Sequence, residues 1–134
     1  MRIAIATQDR ENVDGHFAST RVFMFYDVDT EGYRFLDEAT FDMVTTEEGQ
    51  GRAQDEGEDR LATKVKAIEG SALLFVTAIG GPAAARVVRA NIHPVKLPKA
   101  EPIEQVLQRV QAMLKGNPPP WLRKILAAQS PDAV

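Results

Sequence analysis

The sequence predicts an α/β domain with a mixed sheet, antiparallel at its start and parallel in its second half, flanked by helices. Three observations carry this expectation: an opening strand apolar on both faces, a hairpin after it, and a closing strand–helix–strand unit. Ile3 and Ile5 alternate with Ala4 and Ala6, which suits a central strand buried on both sides. A polar, turn-rich stretch from Gln8 to Gly15 follows, and Val22–Val28 then reads as the second strand. Thr30-Glu31-Gly32 is a hairpin turn into a third strand over Tyr33–Phe41, antiparallel to the second.

Residues 44–60 mix Glu47, Glu48, Asp55, Glu56, Glu58 and Asp59 with three glycines, and are expected to form an acidic loop inside the domain. Leu61, Val65 and Ile68 mark a helix face that Gly70 ends. Ala72–Ala78 is a continuous apolar run, as in a buried parallel strand. Gly80-Gly81-Pro82 breaks it and opens a helix whose buried stripe is read as Ala84, Val87 and Val88. His93–Leu97 is the next strand. Pro102 then starts a helix with Ile103, Val106, Leu107, Val110, Met113 and Leu114 on one face, stopped by Gly116. Met24 and Met113 fall in apolar patterns and are expected in the core; Met43 is a further thioether. The organisation expected is a domain over 1–116, then a proline-rich spacer with a short basic helix and frayed tail over 117–134. Ribonuclease-H-like and flavodoxin-like arrangements both fit these elements; the early hairpin favours the ribonuclease-H-like one.

Composition narrows the chemistry. The 134 residues contain no cysteine, which removes disulfides, thiolate zinc sites, a cysteine nucleophile and the usual four-cysteine iron–sulfur cage. No apolar run approaches the roughly 20 residues that span a bilayer, and the opening apolar stretch is too short for a signal peptide. A cytoplasmic protein is expected, with no membrane partner. The net charge of −3 is uneven: residues 1–60 carry −9 and residues 61–134 carry +6. The second half is therefore where an anionic partner is expected. Nucleic acid is not, because no strand interleaves aromatic and basic residues.

Two segments stand out as sites. Val13-Asp14-Gly15-His16-Phe17 follows the first strand, where α/β domains place ligands. Gly15 permits an unusual backbone angle, Phe17 can anchor the loop, and His16 can ligate iron, act as a base, bind an anion, or simply cap its own loop. Gly80 and Gly81 permit close backbone approach, and the helix amides over 81–84 favour an anion, with Arg86 and Arg89 on the same helix. The glycines match neither a Walker loop nor a dinucleotide fingerprint. Asp9, Asp14 and His16 form no fixed catalytic constellation, and the first strand carries no carboxylate for two-metal nuclease chemistry. No catalytic residue is assigned and no enzyme is expected. His93 reads as structural.

The loop Val13–Phe17, the strand Phe23–Asp27 and the run Leu74–Val88 leading into Ile92–Lys96 together resemble the NifX/VnfX/NafY/NifB C-terminal family of nitrogenase cofactor-binding proteins. The ending Pro118–Lys124 resembles the NifX branch, and the likeness covers nearly the whole chain. It implies a ribonuclease-H-like fold without nuclease activity and a carrier that binds an iron–sulfur precursor of the iron–molybdenum cofactor. It also implies exchange of that transient cargo between NifB and the NifEN scaffold. The family's favoured cluster-binding histidine maps onto His16, the metal ligand. One departure is Ala18, where many members have glycine. Charge and spacing add Gly15, Phe17, Arg21, Gly80, Gly81 and Arg86 to the expected cargo contacts. The alternative is a docking module of the assembly machinery with no cluster of its own, using the basic Trp121–Leu126 segment; a small anion-using enzyme is a distant third.

Overall fold

The computed structural model describes residues 1–41 and 53–129. Strands β1 (Arg2–Thr7), β3 (Val22–Val28), β4 (Tyr33–Thr40), β5 (Leu73–Val76) and β6 (His93–Lys96) form one sheet in the order β4-β3-β1-β5-β6. β3 runs antiparallel to β1 from Arg2↔Asp27 to Thr7↔Val22, and β4 is antiparallel to β3. β5 is parallel to β1, and β6 to β5. This is the expected ribonuclease-H-like mixed sheet, with the hairpin on one side of β1 and the parallel unit on the other.

The alternation in β1 decides the layering. Ile3 and Ile5 join Val22, Met24, Leu73 and Phe75 in a core cluster completed by Ile103, Val106, Leu107 and Val110 of α3 (Ile103–Lys115). Ala4 and Ala6 face the other way, where their small side chains leave room for Phe17, Phe23 and Phe25. That second cluster is closed by Ile68 of α1 (Ala53–Ile68) and by Ala83 and Val87 of α2 (Gly81–Arg89). The two faces of β1 thus serve two different cores.

Several elements differ from the sequence expectation. Helix α1 begins at Ala53, so 53–60 belong to a helix rather than to the acidic loop; acidic residues are favoured in a first helical turn. Residues 44–52 of that expected loop, Met43, and 130–134 of the tail expected to fray after Leu126 lie outside the described residues, while 127–129 of that tail continue the last helix, Pro120–Gln129. On α2 the buried pair is Ala83 and Val87, whereas Val88 is 58% exposed. An α-helix turns about 100° per residue, and with the buried stripe of this short helix centred on Ala83 and Val87, Val88 falls beyond its margin. The sequence also gave no sign of a two-stranded sheet, β2 (Asn12–Val13) with β7 (Glu101–Pro102), which ties the loop after β1 to the start of α3. Gly70 adopts φ +91° and ends α1 in the left-handed conformation expected of a C-terminal glycine.

Helix α4 (Pro120–Gln129) follows the proline spacer and packs on the first core. Leu122 is completely buried, and Trp121 and Ile125 lie against the same cluster. The Trp121 ring stacks on His93 with centroids 4.6 Å apart and planes 12° from parallel.

Candidate functional site

The carboxyl ends of β1 and β5 lie side by side, and the two segments singled out in the sequence leave from them. The histidine segment is pinned between these ends. Gly15 donates its amide to the Ala6 carbonyl at 3.1 Å, and its own carbonyl accepts from the Thr77 amide at 3.0 Å. Phe17 donates to the Ala78 carbonyl at 2.9 Å, so His16 forms a parallel bridge with Ala78. The Phe17 ring is fully buried, 5.6 Å from the Phe23 ring centroid. His16 itself is exposed, and its imidazole makes no hydrogen bond to the described residues. The result is an open ring on a fixed stretch of chain.

Gly15 is required for a reason other than backbone freedom. Positive φ among the described residues is confined to Arg10, Gly70 and Asn91, so Gly15 adopts an ordinary conformation. A Cβ there would sit 2.7 Å from the Thr20 Oγ1 and 2.9 Å from the Ala6 carbonyl carbon, closer than atoms approach. Ala18 needs no positive φ either, so alanine fits where the resembling family often has glycine. Thr20 is buried, and its hydroxyl lies 2.9 Å from the Thr7 carbonyl and 3.1 Å from that of Val22.

The Gly80–Gly81 turn begins two residues after Ala78, the bridge partner of His16, and so leaves from the same edge. Gly80 is the N-cap of α2 with φ −76° and ψ 160°, and no side chain caps the helix. A Cβ on Gly80 or Gly81 would meet nothing within 4 Å, so close packing does not account for either glycine. Fewer amides are offered here than 81–84 suggested. Pro82 has none, and that of Ala84 is bonded to the Gly80 carbonyl at 2.9 Å.

Arg21 precedes β3, and the Thr7↔Val22 register puts it on this edge as well. Its side chain is exposed and makes no ion pair or hydrogen bond with the described residues. Arg86 is placed elsewhere. It lines a groove of about 460 Å³ between α1 and α2 with Ala62, Val65, Lys66, Glu69, Arg89 and Ala90, none of which belongs to the histidine loop. The structure therefore brings together His16, Gly15, Phe17, Gly80, Gly81 and Arg21 at one edge and separates Arg86 from them.

The nearby carboxylates are occupied with backbone. Asp9 Oδ1 accepts from the amides of Glu11 and Asn12, both at 2.8 Å, and Asp9 Oδ2 from the Asn12 side chain. These bonds, the Asn12 side chain foremost, lower the Asp9 pKa from 3.8 to about 2. Asp14 Oδ1 accepts from the Gln8 amide at 2.7 Å. Both hold the turn after β1 in shape. Among the described residues no three His, Cys, Asp or Glu side chains are grouped to hold a metal ion, and no helix is long and apolar enough to cross a membrane.

One residue of this edge was missed in the sequence. Lys64 of α1 is 1% exposed, and its ammonium donates to the carbonyls of Phe17, Ala18 and Thr20, in the turn that follows His16. The available signal was its place three residues after Leu61, inside the stripe of Leu61, Val65 and Ile68.

These features define a ribonuclease-H-like domain that presents one open imidazole on a rigid loop beside a glycine-opened helix. The family described as "Dinitrogenase iron-molybdenum cofactor" matches residues 1–113, and the chain belongs to that family. It is 52% identical to Protein NifX of Sinorhizobium fredii over 95% of this chain and 78% of that protein. It is 46% identical to Protein NifX of Rhodobacter capsulatus, over 98% of this chain and 82% of that one. The crystal structure of PH0822 superposes with a TM-score of 0.57 at 22% identity, covering 84% of this chain and 89% of that one, a likeness of fold.

Proposed function

We propose that this protein takes part in assembling the nitrogenase iron–molybdenum cofactor. In that role it binds an iron–sulfur precursor as transient cargo and passes it from NifB to the NifEN scaffold, without catalysing a reaction. The observation that carries this reading is the open His16 imidazole on a pinned loop, in a chain of the dinitrogenase iron–molybdenum cofactor family. His16 is the metal ligand. One imidazole suits a carrier better than a thiolate cage, because cargo that is bound must also be released. Arg21 and the amide end of α2 at Gly80–Gly81 favour the negative charge of a sulfide-rich cluster. Arg86 lies in a separate groove and is left out of the cargo contacts.

The test is an anaerobic titration of the purified protein with isolated NifB-derived cofactor, scored by visible absorption and bound iron after desalting. Stoichiometric binding by the wild type, lost in His16→Ala, is expected. No binding by the wild type would favour the docking-module reading. A docking contact through the apolar side of Trp121–Leu126 is disfavoured, since Trp121, Leu122 and Ile125 already pack on the first core. Arg123 and Lys124 remain exposed. Reversing both charges tests docking more cleanly than deleting 117–134, which would strip the His93 face.

A further inference from the structure

Residues 16–20 make a single turn in which the amides of Ser19 and Thr20 fold back on the His16 carbonyl, at 3.2 and 2.9 Å. A turn that stops after one winding leaves its last carbonyls without amide partners. Here they are met from a distant helix. The Lys64 Nζ lies 3.2 Å from the Phe17 oxygen, 2.6 Å from that of Ala18 and 2.9 Å from that of Thr20. It also lies 5.4 Å from the centroid of the Phe41 ring. A buried ammonium is costly unless hydrogen-bonded, and so are buried carbonyls without donors. Each offsets the other's cost while the turn keeps this shape.

The turn begins at His16. On its N-terminal side the loop is pinned to Ala6, Thr77 and Ala78. On its C-terminal side the Thr20 hydroxyl ties the end of the turn to Thr7 and Val22, and Lys64 fixes the carbonyls of Phe17, Ala18 and Thr20. We propose that Lys64 is a positioning residue for His16: by capping the turn from α1 it holds the imidazole in the orientation that receives the anionic metal–sulfur cargo. The inference rests on the reading of His16 as ligand and adds to it a link between α1 and the cargo site. Movement of α1 would loosen the very loop that holds the cluster.

The experiment uses the full chain carrying Lys64→Met, which keeps the stem and removes every donor, beside Lys64→Arg, which restores charge and donors. Amide hydrogen exchange of the cargo-free protein is read first. In Lys64→Met the Ser19 and Thr20 amides should exchange at least about tenfold faster relative to Ile5 in β1, with most of the protection recovered in Lys64→Arg. Titration with the isolated iron–sulfur precursor should then show affinity weakened about tenfold in Lys64→Met at unchanged stoichiometry. Should Lys64→Met fail to fold, Lys64→Gln, which removes the charge and one of the three N–H donors, takes its place with the same two outcomes. Loss of protection at Ser19 and Thr20 only in step with Ile5 would mean a general loss of stability and would overturn the proposal. Undiminished affinity with a loosened turn would overturn it too. A wild type that binds no cargo sinks the carrier reading instead, while the exchange measurement still decides whether Lys64 holds the turn.

Discussion

The chain has two histidines, and they sit at opposite ends of the same pair of parallel strands. His16 lies beside Ala78, just past the carboxyl end of β5, whereas His93 opens β6 opposite Leu73 at the other end. At His16 the backbone is pinned on both sides and the ring is open. At His93 the ring itself is packed, stacked on Trp121 and partly buried, and that burial lowers its pKa from 6.5. An imidazole whose ring is committed to packing has little left for a ligand. One whose main chain is committed, with the ring free, is prepared for one. Under the proposed carrier role, a chain with no cysteine and only two histidines keeps one of them open for an anionic metal–sulfur cargo.

Substitution at each pole separates the two roles. His16→Ala should weaken cargo binding by more than about 100-fold, since even groups that merely orient a metal ligand are worth 10–100-fold. Its thermal stability should stay within about 0.5 kcal/mol of the wild type, as for other exposed positions. Trp121→Ala should do the reverse. It removes the ring that covers His93 and should cost about 2–3 kcal/mol by chemical denaturation, with cargo stoichiometry intact. A Trp121→Ala protein that is fully stable yet fails to bind would break the division.

Gly15→Ala sharpens the account of the loop. The added methyl must displace Thr20 or the main chain at Ala6, and a loss of about 1–3 kcal/mol is expected together with weaker binding. Gly80→Ala is the control, because its Cβ meets only open space. A Gly15→Ala protein as stable as Gly80→Ala would show that the close approach is relieved cheaply.

The smallest effect is a pH dependence. The folded-state pKa of His93 lies below its unfolded value, so the unfolded chain takes up the proton first as pH falls. Stability linked to His93 is therefore complete above about pH 6.5 and declines as pH drops through that value toward the folded pKa. Denaturation midpoints followed from pH 7.5 to 5 in wild type and Trp121→Ala should show a shallower decline in the variant. Equal slopes would mean that the stack does not set the His93 environment.

Much of this architecture was legible because its signals are local. Ile3–Ala6 and Leu73–Val76 announce strands buried on both faces, Thr30–Gly32 announces the hairpin, and the stripe of α3 runs unbroken from Ile103 to Val110. The β2–β7 pair was hidden because two residues have no periodicity, and their partners, Pro102 for Asn12 and Glu101 for Val13, lie far along the chain. Val88 was misread because neighbouring valines look alike until the helix phase is fixed by Ala83. In the site, His16 and the Gly80–Gly81 turn were visible as segments leaving the carboxyl ends of strands. Lys64 was not, since a lysine on an amphipathic helix reads as solvated and the carbonyls that bury it belong to a turn 44 to 47 residues earlier. Arg86 was grouped with His16 by charge and spacing, and the rise of α2 carries it into a different groove.

The central claim, that the open and pinned histidine holds the cargo while the packed one holds the fold, is tested most directly by titrating His16→Ala and His93→Ala in parallel. Both variants would receive isolated NifB-derived cofactor under anaerobic conditions, with bound iron counted after desalting. Stoichiometric iron is expected on His93→Ala and none on His16→Ala. Iron retained by His16→Ala, or lost from a folded His93→Ala, would contradict it.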